Sequence, residues 1–460
     1  GPVRRNVGNP EIALSRNEVL TERTDILGTA ILGLTVGCAR CHNHKLEPIS
    51  QKDYYRLQAY LAATQEHNVF LASAEEQAAW AAQSQKIRDQ IEVTKKELKQ
   101  ATDAAKDRLN QRIEELEDQL PSPPAMIPST RNEPGQRTPI HVLRRGVWEN
   151  KGEAVGPRPL GVLVAADMPE LLPTERSPRT HLADWLTSPR HPLTARVIVN
   201  RIWQHHFGQG LVKTPNDFGL HGERPSHPEL LDWLATRFME QGWRFKPMHR
   251  LIVLSSAYRQ SSRAPREAEC SEHDPENRLL WRFQRRRLSA EEVRDAMLAV
   301  SGHLNSKRSG PSVMVPVDRQ LVELLYKPSQ WAITPDATEH DRRSIYLIAK
   351  RNLRLPFFEI LDAPALQASC ARRESSTHAP QALELLNGSL SNDLAAAFAR
   401  RLLAETGGDH GQIVDRAFLL ALGRFPDADE RRRSLDFVRE QPLSEFALAL
   451  FNLNGFLYVR

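Results

Sequence analysis

Cys38-Ala39-Arg40-Cys41-His42 carries the most specific chemistry in the sequence, and the reading of the chain grows outward from it. Two thiols three positions apart can add across the two vinyl groups of a haem. A histidine directly after them is placed to give the iron its proximal nitrogen. With only 4 cysteines and 16 histidines in 460 residues, the pattern is rarely met by chance. On this reading Cys38 and Cys41 form the thioethers of a covalent haem c and His42 is the iron ligand. His67, Met126 and His141 are the candidates for the opposite axial position, because His44 lies too near His42 to reach the far face. A sixth protein ligand makes an electron carrier, whereas an open position permits substrate chemistry.

Three other readings of the same residues stand beside it. A thioredoxin-like Cys-x-x-Cys belongs at the start of a helix after a strand; here it follows a helical run, Glu18 to Val36, with Gly37 as the stop signal. A zinc site could use Cys38, Cys41, His42 and His44, although neighbouring Cys41 and His42 can hardly both chelate one ion. A plain disulfide could staple the loop.

Composition narrows the classes. Charged residues are 26% and apolar residues 40%, ordinary soluble-protein usage, and the length allows two or three domains. A net charge of +5 is no nucleic-acid footprint. The basic run Arg282 to Arg287 reads as the ion-paired flank of the next helix. No stretch reaches the roughly 18 apolar residues of a membrane span, and Ile26 to Gly37 is interrupted by Gly28 and Gly33. Gly1-Pro2 reads as a cleavage scar or the start of a fragment, and a covalent haem implies a signal sequence upstream.

The fold expected is mainly α. Residues 1–74 form a helical segment around the cysteine loop, with Ser50 capping a helix from Gln51 to Ala63. Residues 75–120 carry apolar residues at steps of three and four, a long amphipathic helix or helical hairpin with a slip after Ala105. This arm is a candidate for self-association or a rigid strut. Residues 121–180 form a Pro-rich linker with a strand, and residues 181–460 a larger helical domain with a small β element. His141–Arg145 and Ser344–Ala349 are the strand candidates, expected to pair. Helices are expected at 193–206, 228–241, 247–256, 290–303, 379–386, 390–405, 411–422 and 427–440, with Ser289 and Glu292 as a capping box.

A second polar constellation spans His205, His206, Asp217, His221, Glu223 and His227. His206, Asp217 and His227 are the candidates for metal binding or acid–base work on a sugar; hydrogen bonds that merely fix the loop are the alternative. Trp203, Trp233, Trp243 and Trp281 could line a carbohydrate cleft or fill a core. Cys370 beside Arg372 and Arg373 is a candidate nucleophile, a buried thiol or a partner for Cys270.

Two sets of motifs then become recognisable together. Gly33-Leu-Thr-Val-Gly-Cys-Ala-Arg-Cys-His-Asn-His-Lys45, running on through Pro48-Ile-Ser-Gln-Lys-Asp-Tyr-Tyr55, resembles the cytochrome-like domain of large exported planctomycete proteins. Val199-Asn-Arg-Ile-Trp-Gln-His-His-Phe-Gly208, Pro215-Asn-Asp-Phe-Gly219, Leu254-Ser-Ser-Ala-Tyr-Arg259 and Ser369-Cys-Ala-Arg-Arg-Glu-Ser-Ser-Thr377 resemble the companion domain of unknown function in the same proteins. The resemblance implies an exported, periplasmic or envelope protein, and a redox partner or an upstream cytochrome domain. The expectation is a c-type haem protein in electron transfer, with coupling to oxidation of a carbohydrate-like substrate as a further role. A non-redox binding or assembly module with a zinc or disulfide site, and a haem-independent enzyme using the histidine-rich loop, are its alternatives. Neither a membrane span nor nucleic-acid binding is expected.

Overall fold

The computed structural model describes residues 9–121, 123–325, 330–366 and 369–459; Gly1-Pro2 lies outside the described residues. The chain is mainly α, and its named strands form only two-stranded antiparallel pairs among the described residues. It divides into two compact units. One takes the chain up to Arg23 together with Gln51–Leu182, and the other takes Thr24–Ser50 with Ala183–Arg460.

In the first unit, residues 75–120 form a hairpin of two helices, Ala74–Gln100 and Asp103–Asp118. The break falls at Ala101-Thr102, earlier than the slip expected after Ala105, because both residues adopt extended backbone. Ser73 starts the hairpin with a capping box: its hydroxyl accepts from the Glu76 N–H, and Glu76 accepts from the Ser73 N–H. Ile91, Ile113 and Leu116 are buried between the two helices, with Ile87, Leu98 and Leu120 packed on them. The apolar stripe of the arm is thus spent inside the hairpin. Short antiparallel pairs, Thr64–Glu66 with Thr130–Asn132 and Val69–Phe70 with Met126–Ile127, fasten its base.

The helix after Ser50 runs Gln51–Ala59, shorter than expected. It carries Asp53 into a buried charge cluster. The Asp53 carboxylate accepts from the Gly161 N–H at 3.2 Å and lies 3.8 Å from Arg158 and 3.9 Å from Arg56. Arg158 is held in turn by donating to the carbonyls of Met168, Ala165 and Ala166. The expected pairing of His141–Arg145 with Ser344–Ala349 does not form. His141–Leu143 pairs with Lys151–Ala154, and Ser344–Tyr346 is a single 3-10 turn. Arg145 and Gly146 (φ 54° and 72°) turn the chain back at once, and a local hairpin closes a far shorter loop than a distant partner requires.

Among the described residues, two large helical cores stand in the second unit beside a smaller cluster around Leu325, Trp331 and Leu353. Thr194–Phe207 buries Ala195, Val199, Ile202, Trp203 and Phe207 at helical spacing, against Pro228–Glu240 and Phe245–Val253. Gly208 (φ 80°) stops the first of these helices. The other core packs Ala290–Ser301, Ala379–Asn387, Ser389–Thr406, His410–Leu422 and Ala428–Glu440 around Phe398 and Phe451. These are the expected helices to within a few residues, and the Ser289–Glu292 capping box is present. The helix Leu443–Phe451 was not expected. In the basic run, Arg282, Arg286 and Arg287 are ion-paired, with Glu267, Glu292 and Asp362.

His191 begins the first core. Its ring Nδ1 accepts from the Leu193 and Thr194 N–H groups, and its ring lies edge-on to Trp185. Burial lowers its pKa from 6.5 to about 4. A folded value below the unfolded one means that the unfolded chain takes the proton first. The contribution to stability is therefore complete above pH 6.5 and lost as pH falls through about 4. Urea midpoints measured across that window should fall with pH in the wild type and lose this part of the slope in His191→Gln. An unchanged slope in the variant counts against the assignment.

Candidate cysteine–histidine site

The helix Asn9–Ile26 does not run on to Val36 as expected. It widens into a π turn, Leu27–Leu32, and ends at Gly33 in the left-handed region (φ 62°). The widening has a local cause: a Cβ on Gly28 would stand 2.2 Å from the Val36 side chain, so the returning chain packs directly on backbone. Gly33 is therefore the stop, and Gly37 instead packs against the Asp25 carboxylate.

The motif itself sits on a 3-10 turn, Val36–Arg40. Val36 and Ala39 are fully buried and anchor the turn. Cys38 and Cys41 face solvent as free thiols. The two histidines that follow are placed differently. His44 is latched: its Nδ1 accepts from the Leu46 and Glu47 N–H groups at 3.1 and 2.9 Å, which leaves Nε2–H to meet the Thr35 hydroxyl at 3.1 Å. Both its nitrogens are used, so His44 is no ligand in this arrangement. His42 is exposed, and its Nδ1 meets the Asn43 carbonyl oxygen at 2.5 Å. A carbonyl can only accept, so Nδ1 carries the proton and Nε2 keeps the lone pair.

The loop is braced by the Pro215-Asn-Asp-Phe-Gly219 segment. The Phe218 N–H donates to the Gly33 carbonyl at 2.7 Å, and the Leu220 N–H donates to the Glu47 carboxylate at 2.6 Å. Arg201, from the Thr194–Phe207 helix, donates to the Thr29 and Pro215 carbonyls and to the Asn216 side chain. A Cβ on Gly33 would lie 2.8 Å from Val197 and 2.9 Å from Phe218. Gly33→Ala should therefore cost more than the roughly 1–2 kcal/mol of a left-handed alanine alone. Urea unfolding measures it, and a loss below about 1 kcal/mol would show that the brace yields.

The histidine-rich constellation comes apart. His206 Nε2 meets His249 Nδ1 at 2.8 Å, with Tyr258 edge-on to the His206 ring. Asp217 accepts from the Gly219 N–H at 3.0 Å and shapes its own turn. His227 Nδ1 pairs with the Ser226 hydroxyl at 2.9 Å. None of the three bonds to another. Burial, with the charges of Arg373, Arg201 and Arg286, lowers the pKa of His205; burial and neighbouring His249 lower that of His206. His249 carries no sequence signal, and Tyr258 enters only within the Leu254–Arg259 motif; nothing in their spacing ties either to His206. Among the described residues no group of three or more His, Cys, Asp or Glu side chains is gathered to hold a metal ion.

Cys370 is exposed, not buried, and Cys270 and Cys370 are both free. Trp203 is buried and stacks on Phe207 with ring centroids 4.2 Å apart, whereas Trp233 is 52% exposed. The distal candidates lie in the other unit, where Met126 Sδ accepts from the Asn68 amide and His141 Nδ1 meets the Gly152 carbonyl.

Residues 178–438, more than half of the chain, match the model of PSD1, a protein family of unknown function (DUF1553). The chain belongs to the PSD1 family. Residues 3–66 match a second model, PSCyt2, also a protein family of unknown function (DUF1549). The two stand in the order expected for the planctomycete-type domain pair. No curated protein and no solved structure matches the chain. The cysteine loop lies in the PSCyt2 match, while Arg201, Phe218 and Leu220, which brace it, lie in the PSD1 match.

No helix among the described residues is long and apolar enough to cross a membrane.

Proposed function

We propose that this PSD1-family chain is a c-type haem protein that takes part in electron transfer, with Cys38 and Cys41 holding the haem and His42 as its axial base. The observation that supports this reading most is the contrast between the two histidines. His44 has both ring nitrogens engaged, whereas His42 has Nδ1–H on a backbone carbonyl and Nε2 free. A backbone acceptor on the second nitrogen fixes the tautomer and raises the basicity of the ligating one. The donor set fits the group: two exposed, unpaired thiols on one turn and an exposed imidazole directly after them.

When bound, haem supplies one-electron chemistry at a potential set by its axial ligands and surroundings. The chain's own part is to present the sulfurs and to hold the His42 ring. Buried Val36 and Ala39 fix the turn from beneath, Gly33 ties the loop to Phe218, and Glu47 ties it to Leu220 just after the Pro215–Gly219 segment. Covalent attachment of haem in bacteria takes place outside the cytoplasm, so this reading puts the mature protein in the periplasm or cell envelope. The test is the visible spectrum of protein matured in an exporting host with the haem-attachment machinery. A Soret band that stays with the denatured polypeptide is expected; colourless protein from a host that matures a control cytochrome would refute the reading.

A further inference from the structure

The second unit holds a cleft that the cysteine site does not use. It is narrow: about 40 Å³ of it is open to water-sized groups, the scale of a small ion, within some 500 Å³ of non-atom space that includes open solvent. Its floor is apolar, from Trp203, Phe207, Leu211 and Leu280. Its rim is not: Lys213, Arg224 and Arg278 face it together with a single carboxylate, Glu276. Glu276 is taken by Lys213, whose ammonium donates to it. Among the described residues, neither the Arg224 nor the Arg278 guanidinium meets a carboxylate at ion-pair distance. The lining residues set three cations against one carboxylate; Asp274, just behind them, has its carboxylate on the Arg278 and Leu279 N–H groups, so an excess of about one positive charge remains around a cleft with an apolar base.

The wall that supplies Glu276 and Arg278 is built under strain and held there. Asn277 and Leu280 both stand in the left-handed region, at φ 53° and 57°, a rare conformation for any residue other than glycine and an outlier for leucine. The Asn277 amide donates to the Arg282 carbonyl at 2.8 Å, and its oxygen accepts from the Arg282 N–H at 3.2 Å. The Gln260 amide holds the Leu280 carbonyl at 2.8 Å, and the Trp281 ring N–H donates to the Asp274 carbonyl at 2.9 Å. Backbone strain over-determined in this way clusters at ligand sites. Gly210, which also lines the cleft, leaves no room for a side chain, since a Cβ would sit 2.6 Å from the Val212 carbonyl oxygen and 2.7 Å from the Asn200 amide.

We infer that this cleft binds a small oxyanion, a carboxylate or a sulfate, between Arg224 and Arg278. A guanidinium presents its N–H donors in a planar fork that matches both groups, and pairs of this kind are the strong hydrogen bonds of proteins. Glu276 acts as the internal competitor: it keeps Lys213 neutralised. The inference does not depend on haem.

The test is calorimetric titration of the full chain at low ionic strength, where such pairs are least screened. Sulfate, acetate and glucuronate are the probes, with glucose as the neutral control. At least one anion should bind and glucose should not. Binding of sulfate alone would assign a tetrahedral group, and binding of glucuronate or acetate a carboxylate. Arg224→Gln combined with Arg278→Gln should weaken binding by about tenfold or more, the scale of hydrogen bonds to charged groups. Both side chains are on the surface, so the variant should fold. Glu276→Gln should act with the opposite sign and tighten binding by freeing Lys213. Absence of anion binding, glucose binding as well as glucuronate, or an affinity unmoved by the arginine pair would each overturn the inference.

Discussion

Replacing Cys38 and Cys41 together by serine is expected to abolish covalent pigment completely in protein matured with the haem-attachment machinery. The thioether bonds need both sulfurs, and Cys270 and Cys370 lie outside the motif and cannot substitute for them. Each single variant should retain at most one linkage, with a shifted band and poor yield. His42→Ala tests a different role. It leaves both sulfurs in place but removes the free Nε2, so pigment that still attaches should show the spectrum of iron lacking its proximal imidazole. His44→Ala should keep the axial spectrum and instead loosen the loop, because the Leu46 and Glu47 N–H groups lose their acceptor. Denaturing electrophoresis with haem staining, read beside the absorption spectrum, separates these outcomes. A fully pigmented double cysteine variant would end the proposal.

The largest effect on stability is expected at Asp53. Its carboxylate is buried between the Arg158 and Arg56 guanidinium groups and the Gly161 N–H. Arg158 is only 7% exposed. Removing one partner of a buried pair leaves the other charge uncompensated, which costs about 3–5 kcal/mol. Asp53→Ala should therefore lower the urea midpoint of the unit that contains it far more than a surface change. Asp53→Asn keeps an oxygen to accept from Gly161 and should recover part of the loss. Equal midpoints for wild type and Asp53→Ala would mean that water already reaches Arg158.

Asp53 also shows where sequence stopped being legible. In the sequence it is a favourable negative charge in the first turn of a helix, and it is that. Its partner, Arg158, lies more than a hundred residues on in a stretch without periodicity, so the buried pair left no local trace. The helices of the second unit were legible because their signals are local. Gly208, Gly302, Gly407 and Gly423 each take positive φ at a helix end, and Asp409 and Asp427 cap the helices that follow. Leu443–Phe451 went unseen because its residues are apolar almost all round, with little periodic contrast. The strands failed for another reason: runs this short carry no pairing information, and the turn at Arg145-Gly146 decided between partners. At the cysteine loop the motif named Cys38, Cys41 and His42. Which of the two neighbouring imidazoles keeps a free nitrogen depended on amide groups from Leu46 and Glu47, and no spacing rule reports those.

The Pro215–Gly219 brace has a practical consequence for anyone cutting this protein into pieces. The boundary drawn by sequence families falls after residue 66, yet the bonds that shape the loop reach across it to Phe218 and Leu220. An excised amino-terminal fragment would keep every cysteine and histidine of the motif while losing the scaffold that poses them. Its spectroscopic behaviour would describe a floppy peptide, not the intact assembly.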